Sequence, residues 1–273
     1  MEARKVVAGH GWLWIKQGFA LFLRSPIMWV VLTILGIFSL FTLAAVPVIG
    51  DPLATLLFPT LLAGYMLGCA ALERGDELEL PHLLAGFRHN TQHLVTLGGV
   101  NLVGQLLIFG VMMLTGGAAL VAIMMSGSPV DDPKVVAEAV AGAGLAIFIG
   151  MGLFGVLLMA GQFAPMLVVF DNVPPLVAMR ASLRACVHNL PALTLYGVVM
   201  VLFALVASML AMLGWIVLLP LMLTSLYAAY RDLFPPLTVA ANESAGESLP
   251  PAEAAPPTPS VDGEPPAPRD PPA

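Results

Sequence analysis

The chain has 273 residues, of which 59% are hydrophobic and 10% charged, and its mean hydropathy is +0.91. Soluble domains carry roughly 25% charged residues, so polar side chains are too few to cover a water-soluble globule and most of the apolar surface must face lipid. The net charge of −6 does not describe that apolar part, because the C-terminal stretch holds Glu243, Glu247, Glu253, Asp262, Glu264 and Asp270 against Arg269 alone.

In chain order, Arg4 and Lys5 precede an amphipathic segment from Gly11 to Phe19 that runs on to Ser25-Pro26. Trp12, Ile15, Phe19 and Phe22 fall at helical spacing on one face, with Lys16 and Gln17 on another, the pattern of a helix lying in the headgroup layer. The apolar run 27–48 exceeds a signal-peptide core of roughly 7–15 residues, so it is expected to anchor the chain. A turn around Gly50, Asp51 and Pro52 leads into a second run, 53–72. Glu73, Arg74, Asp76, Glu77 and Glu79 then form a charged loop, read as solvated. A second amphipathic segment, Leu83 to Arg88 and on to Asn90, precedes a run over 94–125. Asp131, Asp132, Lys134 and Glu138 mark the next turn, before the run 135–170. The third amphipathic segment, Ala178 to Arg184 and on to Asn189, places Leu176, Met179, Leu183 and Val187 on one face. Arg180, Arg184 and His188 recur at every fourth position. Runs 191–213 and 214–230 meet near Gly214 and Trp215.

A span needs about 20 apolar residues, so these six runs are six transmembrane helices arranged as three hairpins, each preceded by an amphipathic segment. Pro47, Pro59, Pro165 and Pro220 are expected to kink them. The fold class is therefore an all-α integral membrane protein with cytoplasmic amphipathic helices. Lys and Arg stay with the cytosol during insertion. Arg4, Lys5, Lys16, Arg24, Arg74, Arg88, Arg180, Arg184 and Arg231 all fall on one side of the six-span reading, while Lys134 alone falls on the other. Both termini are accordingly expected in the cytoplasm. Residues 1–234 form the membrane domain. Residues 235–273, rich in Pro, Ala, Ser and Glu, cannot bury enough apolar area to offset ordering entropy and are read as a disordered cytoplasmic tail.

Polar residues inside spans are the usual pointers to function. Asn101 and Gln105 stand one turn apart on the third span and Gln162 precedes Pro165 on the fourth. They could line a central polar cavity, although hydrogen bonding between helices is the preferred reading. Gly64 and Gly68, and the glycines of the fourth span, provide close-packing surfaces that a homodimer could share. His82, His89 and His93 lack an acid or cysteine at matching spacing, so no metal is expected. Cys69 and Cys186 are read as free thiols. No nucleophile elbow, metalloprotease helix or phosphate-cradling loop is present, so neither enzymatic activity nor a cofactor is expected.

The repeated amphipathic segment, the six spans and the ending Tyr227-Ala-Ala-Tyr-Arg-Asp-Leu-Phe234 resemble a family of uncharacterised bacterial inner-membrane proteins. More distantly the chain is similar to the membrane domain fused to some glycerophosphodiester phosphodiesterases, whose catalytic part is missing here. The resemblance implies a bacterial inner-membrane location and no active residues. On the residues themselves, the leading reading is a non-enzymatic protein that organises lipid or partner proteins, with Lys16, Arg24, Arg88, Arg180 and Arg184 meeting anionic headgroups. The alternative is a small transporter using Asn101, Gln105 and Gln162. No nucleic-acid partner is expected.

Overall fold

Long apolar stretches in a chain with so few charges form helices because a helix satisfies every backbone polar group within one segment. The structure, a computed structural model, describes residues 3–117, 121, 133–209 and 213–235, and no strand occurs among them. The helices are α1 (His10–Arg24), α2 (Pro26–Ala44), α3 (Gly50–Arg74), a 3₁₀ helix (Leu80–Phe87) and α4 (Thr91–Met112), which runs on through a wider π turn (Met113–Gly117). They continue with α5 (Pro133–Gln162), α6 (Ala164–Asp171), α7 (Pro175–His188), α8 (Leu190–Met209) and α9 (Leu213–Leu233).

Among the described residues six helical stretches are long and apolar enough to cross a membrane: Pro26–Ala44, Gly50–Arg74, Thr91–Gly117, Val140–Asp171, Leu190–Met209 and Gly214–Leu233. They coincide with the six expected spans. Consecutive spans pack as hairpins, α2 on α3, α4 on α5 and α8 on α9. The compact unit is Met1–Phe234; the expected tail lies, beyond Pro235, outside the described residues, as do Asp131 and Asp132.

Spans α3 and α9 are about half buried, whereas the other four turn most of their surface outward. Phe41 at 74% exposure and Phe148 at 78% are side chains suited to contact with lipid. The two ends of this unit meet: the Arg4 N–H donates to the Leu233 carbonyl at 2.9 Å.

The first connection differs from expectation. Asp51 and Pro52 lie within the first turn of α3, and the turn itself falls at 45–49, with Val48 at φ 69°. Proline suits a first turn because the N–H it lacks has no partner there, and Asp favours the positive end of the helix dipole.

The amphipathic segments also bury other faces than their periodicity suggests. In α1 the inward residues are Gly11, Trp14, Ile15, Gly18, Leu21 and Phe22, while Trp12 and Phe19 point outward. The cause is α9, against which α1 packs so closely that a Cβ at Gly18 would sit 2.5 Å from the Ser225 nitrogen. Small residues decide the contact, as in other tightly crossing helices. In α7 the buried side is Pro175, Ala178, Met179, Ser182, Ala185 and Cys186, and Leu176 and Val187 are exposed. The second segment is a 3₁₀ helix beginning at Leu80-Pro81, with the Glu79 N–H donating to His82 Nδ1 at 3.0 Å. It rests on Gly64, where a Cβ would meet the Leu83 backbone at 2.5 Å. Gly64 is thus engaged within the chain.

The fourth long run breaks at Phe163, between α5 and α6, because Pro165 removes a helical donor and crowds the preceding turn. Ser182 of α7 repairs the break. Its Oγ accepts from the Phe163 N–H at 3.0 Å and donates to the Met159 carbonyl at 2.7 Å. Asn90 and Asn172 both adopt φ 53°, a left-handed conformation that asparagine tolerates. Asn90 Nδ2 bonds to Asn172 Oδ1 at 2.5 Å and to the Val168 carbonyl at 3.0 Å, tying the start of α4 to the end of α6.

Candidate functional site

The last turns of α9 carry polar groups that reach three other helices. Tyr227 donates its hydroxyl to Glu73 of α3 at 2.7 Å, and Arg231 lies 3.6 Å from the same carboxylate. Tyr230 donates to Asp171 of α6 at 2.7 Å. Asp232 accepts from Trp14 Nε1 of α1 at 2.7 Å and pairs with His10 Nδ1 at 2.6 Å. Phe170 stacks on Tyr230 at 5.6 Å, and Phe234 packs edge-on to Phe163 at 6.2 Å. Beside this cluster, the buried Asn189 fastens the N-terminal segment: Oδ1 accepts from the Val6 N–H at 2.8 Å, and Nδ2 donates to the Arg4 carbonyl at 3.1 Å.

Three carboxylates, on Glu73, Asp171 and Asp232, are therefore turned toward neighbouring helices. Arg231 pairs with Glu73 and Arg74 with Asp76 at 3.2 Å, but four other basic side chains at the same end behave differently. Lys16, Arg88, Arg180 and Arg184 are exposed, and none forms an ion pair among the described residues. Lys16 lies over the Trp12 ring at 5.7 Å. Arg24 departs from this group, because its Nη1 donates to the Leu72 carbonyl at 2.7 Å, where a cation favours a helix C-terminus.

The three amides line one cavity. Asn101 and Gln105 of α4 and Gln162 of α5 share a space of about 640 Å³ with Ile37, Phe41, Phe58 and Leu226. Asn101 lies along the backbone of Gly161, whose Cβ position is 3.5 Å from the amide atoms. Among the described residues none of the three side chains makes a hydrogen bond to another helix. The preferred sequence reading of interhelical bonding therefore does not describe them.

The remaining candidates have ordinary roles. His82 closes the 3₁₀ segment and His89 Nδ1 lies 3.1 Å from the Ala85 carbonyl. Among the described residues no three His, Cys, Asp or Glu side chains gather as a metal site. Cys69 and Cys186 are both free and buried. Burial pushes the Cys186 thiol up to about 11, against a smaller opposing contribution from Ser182.

A probable inner membrane protein of Burkholderia thailandensis is 31% identical to this chain over 256 residues, which is 86% of this chain and 94% of that protein. The chain belongs to this family of inner membrane proteins. No family model matches it, and no solved structure does. With six helices of spanning length, it is a multi-span protein of the bacterial inner membrane. Sequence reasoning passed over Ser182, Asn189, Tyr230 and Asp232. The available signal was the polar cluster in the last turn of an otherwise apolar helix, where such residues need partners.

Proposed function

We propose that this inner-membrane protein is a non-enzymatic organiser of anionic lipid, and that the end carrying Lys16, Arg88, Arg180 and Arg184 faces the cytosol. One observation carries the reading: three acids at this end, Glu73, Asp171 and Asp232, are bound by Tyr227, Tyr230, His10 and Trp14, which leaves Asp76, Glu77 and Glu79 of one loop as its remaining exposed acids among the described residues, while the four cations stand outward on three other segments. Such cations gain about 1 kcal/mol each at an anionic leaflet. Arg180 and Arg184 are one turn apart on the exposed side of α7, so they can engage neighbouring headgroups together.

The test places full-length protein in nanodiscs of mixed phosphatidylglycerol and phosphatidylcholine and measures the lipids retained after gentle extraction by native mass spectrometry. Retained phosphatidylglycerol should be enriched, and the double variant R180E/R184E should lose at least about tenfold of that enrichment. Equal retention of the two lipids by the wild type would overturn the proposal.

A further inference from the structure

Asn101 lies about ten residues into α4, roughly 15 Å along the helix, which is near the middle of a hydrocarbon core roughly 30 Å thick. An amide there without a partner is costly, because lipid tails offer neither donor nor acceptor. Three such amides line a single cavity of about 640 Å³, within the range of roughly 300–1,000 Å³ usual for ligand sites. Each amide both donates and accepts, so an occupant satisfying them must carry both kinds of group.

The rest of the lining restricts the occupant further. None of the lining residues is ionisable, so a phosphate or an ion would have no countercharge at the least hydrated depth of the bilayer. The walls are otherwise mostly apolar. A second space of about 220 Å³ shares Ile37, Leu40, Phe58, Leu62 and Leu223 with the first and extends toward Thr33 and Tyr65, giving an apolar lane alongside the amides. Phe41, Phe58 and Leu158 of the first lining are 74%, 51% and 53% exposed. The cavity therefore opens on the lipid-facing surface, and entry is sideways from the bilayer.

We infer that this cavity is a binding site for a neutral acyl amphiphile of the diacylglycerol class, whose hydroxyl and ester carbonyls bond to Asn101, Gln105 and Gln162 while its chains follow the apolar lane. The site is separate from the basic surface. A neutral head reaches this depth, and a charged one is excluded.

The experiment uses full-length protein in phosphatidylcholine nanodiscs with a diacylglycerol carrying a photoactivatable diazirine in one chain. Because the diazirine rides in the chain, label is expected in the segments that line the apolar lane, those containing Ile37, Leu40, Phe58, Leu62 and Leu223. Unlabelled dioleoylglycerol should displace it; dioleoylphosphatidic acid, with the same chains and a charged head, should not. The variant Q105L/Q162L should lower labelling by about tenfold, with folding followed by its thermal transition. Label spread over all lipid-facing helices, equal displacement by phosphatidic acid, or undiminished labelling of the folded variant would each overturn the inference. Should the variant fail to fold, the wild-type competition decides alone. Failure of this inference in the folded wild type would leave the retention of phosphatidylglycerol at the basic surface untouched.

Discussion

Asp232 accepts from His10 and from the fully buried Trp14, so the first helix is registered on the last through one carboxylate. Asp232→Ala leaves the Trp14 N–H without an acceptor and should cost about 1–3 kcal/mol, read as a lowered thermal midpoint in detergent. Asp232→Asn keeps one acceptor oxygen and should lose less. Cys186 gives a prediction in pH. Its raised value keeps the thiol protonated at neutral pH, and the nucleophilic thiolate forms in the folded state only as pH approaches about 11. Maleimide should accordingly label Cys186 slowly in folded protein and rapidly in denaturant, with folded-state labelling rising steeply at alkaline pH. The linked stability has the matching sign: the native state holds its proton more tightly than the unfolded thiol at 9.0, so this contribution is complete below that value and is lost as pH rises toward about 11. Residue pairings of this kind were not legible in the sequence. Trp14 and Asp232 are separated by 218 positions, and no local period encodes which distant helix will receive a side chain.

At the scale of elements, the spans were legible because about 20 consecutive apolar residues have few alternatives to a membrane helix. The inward face of α1 was not, since apolar residues surround that helix and the choice depends on Ser225 of α9 admitting Gly18. Gly18→Val should force the two helices apart and destabilise the fold by about 1–3 kcal/mol, seen as a lower midpoint with unchanged helical content. The break at Phe163 was foreseeable from Pro165, but its repair by Ser182 required knowing that α7 packs on α5. Ser182→Ala removes the partner of the Phe163 N–H and leaves the Met159 carbonyl only the weaker Cys186 Sγ donor at 3.5 Å. The buried orphan costs about 1–3 kcal/mol, so this small substitution should be measurably damaging, and Ser182→Thr, which retains the hydroxyl, should be milder. The amides follow the same division. Asn101 and Gln105 are neighbours by helical spacing alone, whereas Gln162 joins their cavity through the packing of α4 against α5.

For the whole molecule, the ends of the membrane unit converge: Arg4 reaches Leu233, and Asn189 holds the segment between Arg4 and Val6. Ends that meet require an even number of crossings, in agreement with six spans. The proposed function places that common end in the cytosol, on the strength of the Lys and Arg distribution, and this is the premise for anionic headgroups meeting Arg180 and Arg184. Sidedness is the most direct test of this premise. With Cys69 and Cys186 replaced by alanine, single cysteines at Arg184 and at the exposed Lys134 can be probed with a membrane-impermeant maleimide on intact spheroplasts. Lys134→Cys should react from outside, and Arg184→Cys should react only after lysis; labelling of Arg184→Cys on intact cells would place the basic surface outside and contradict the proposed function.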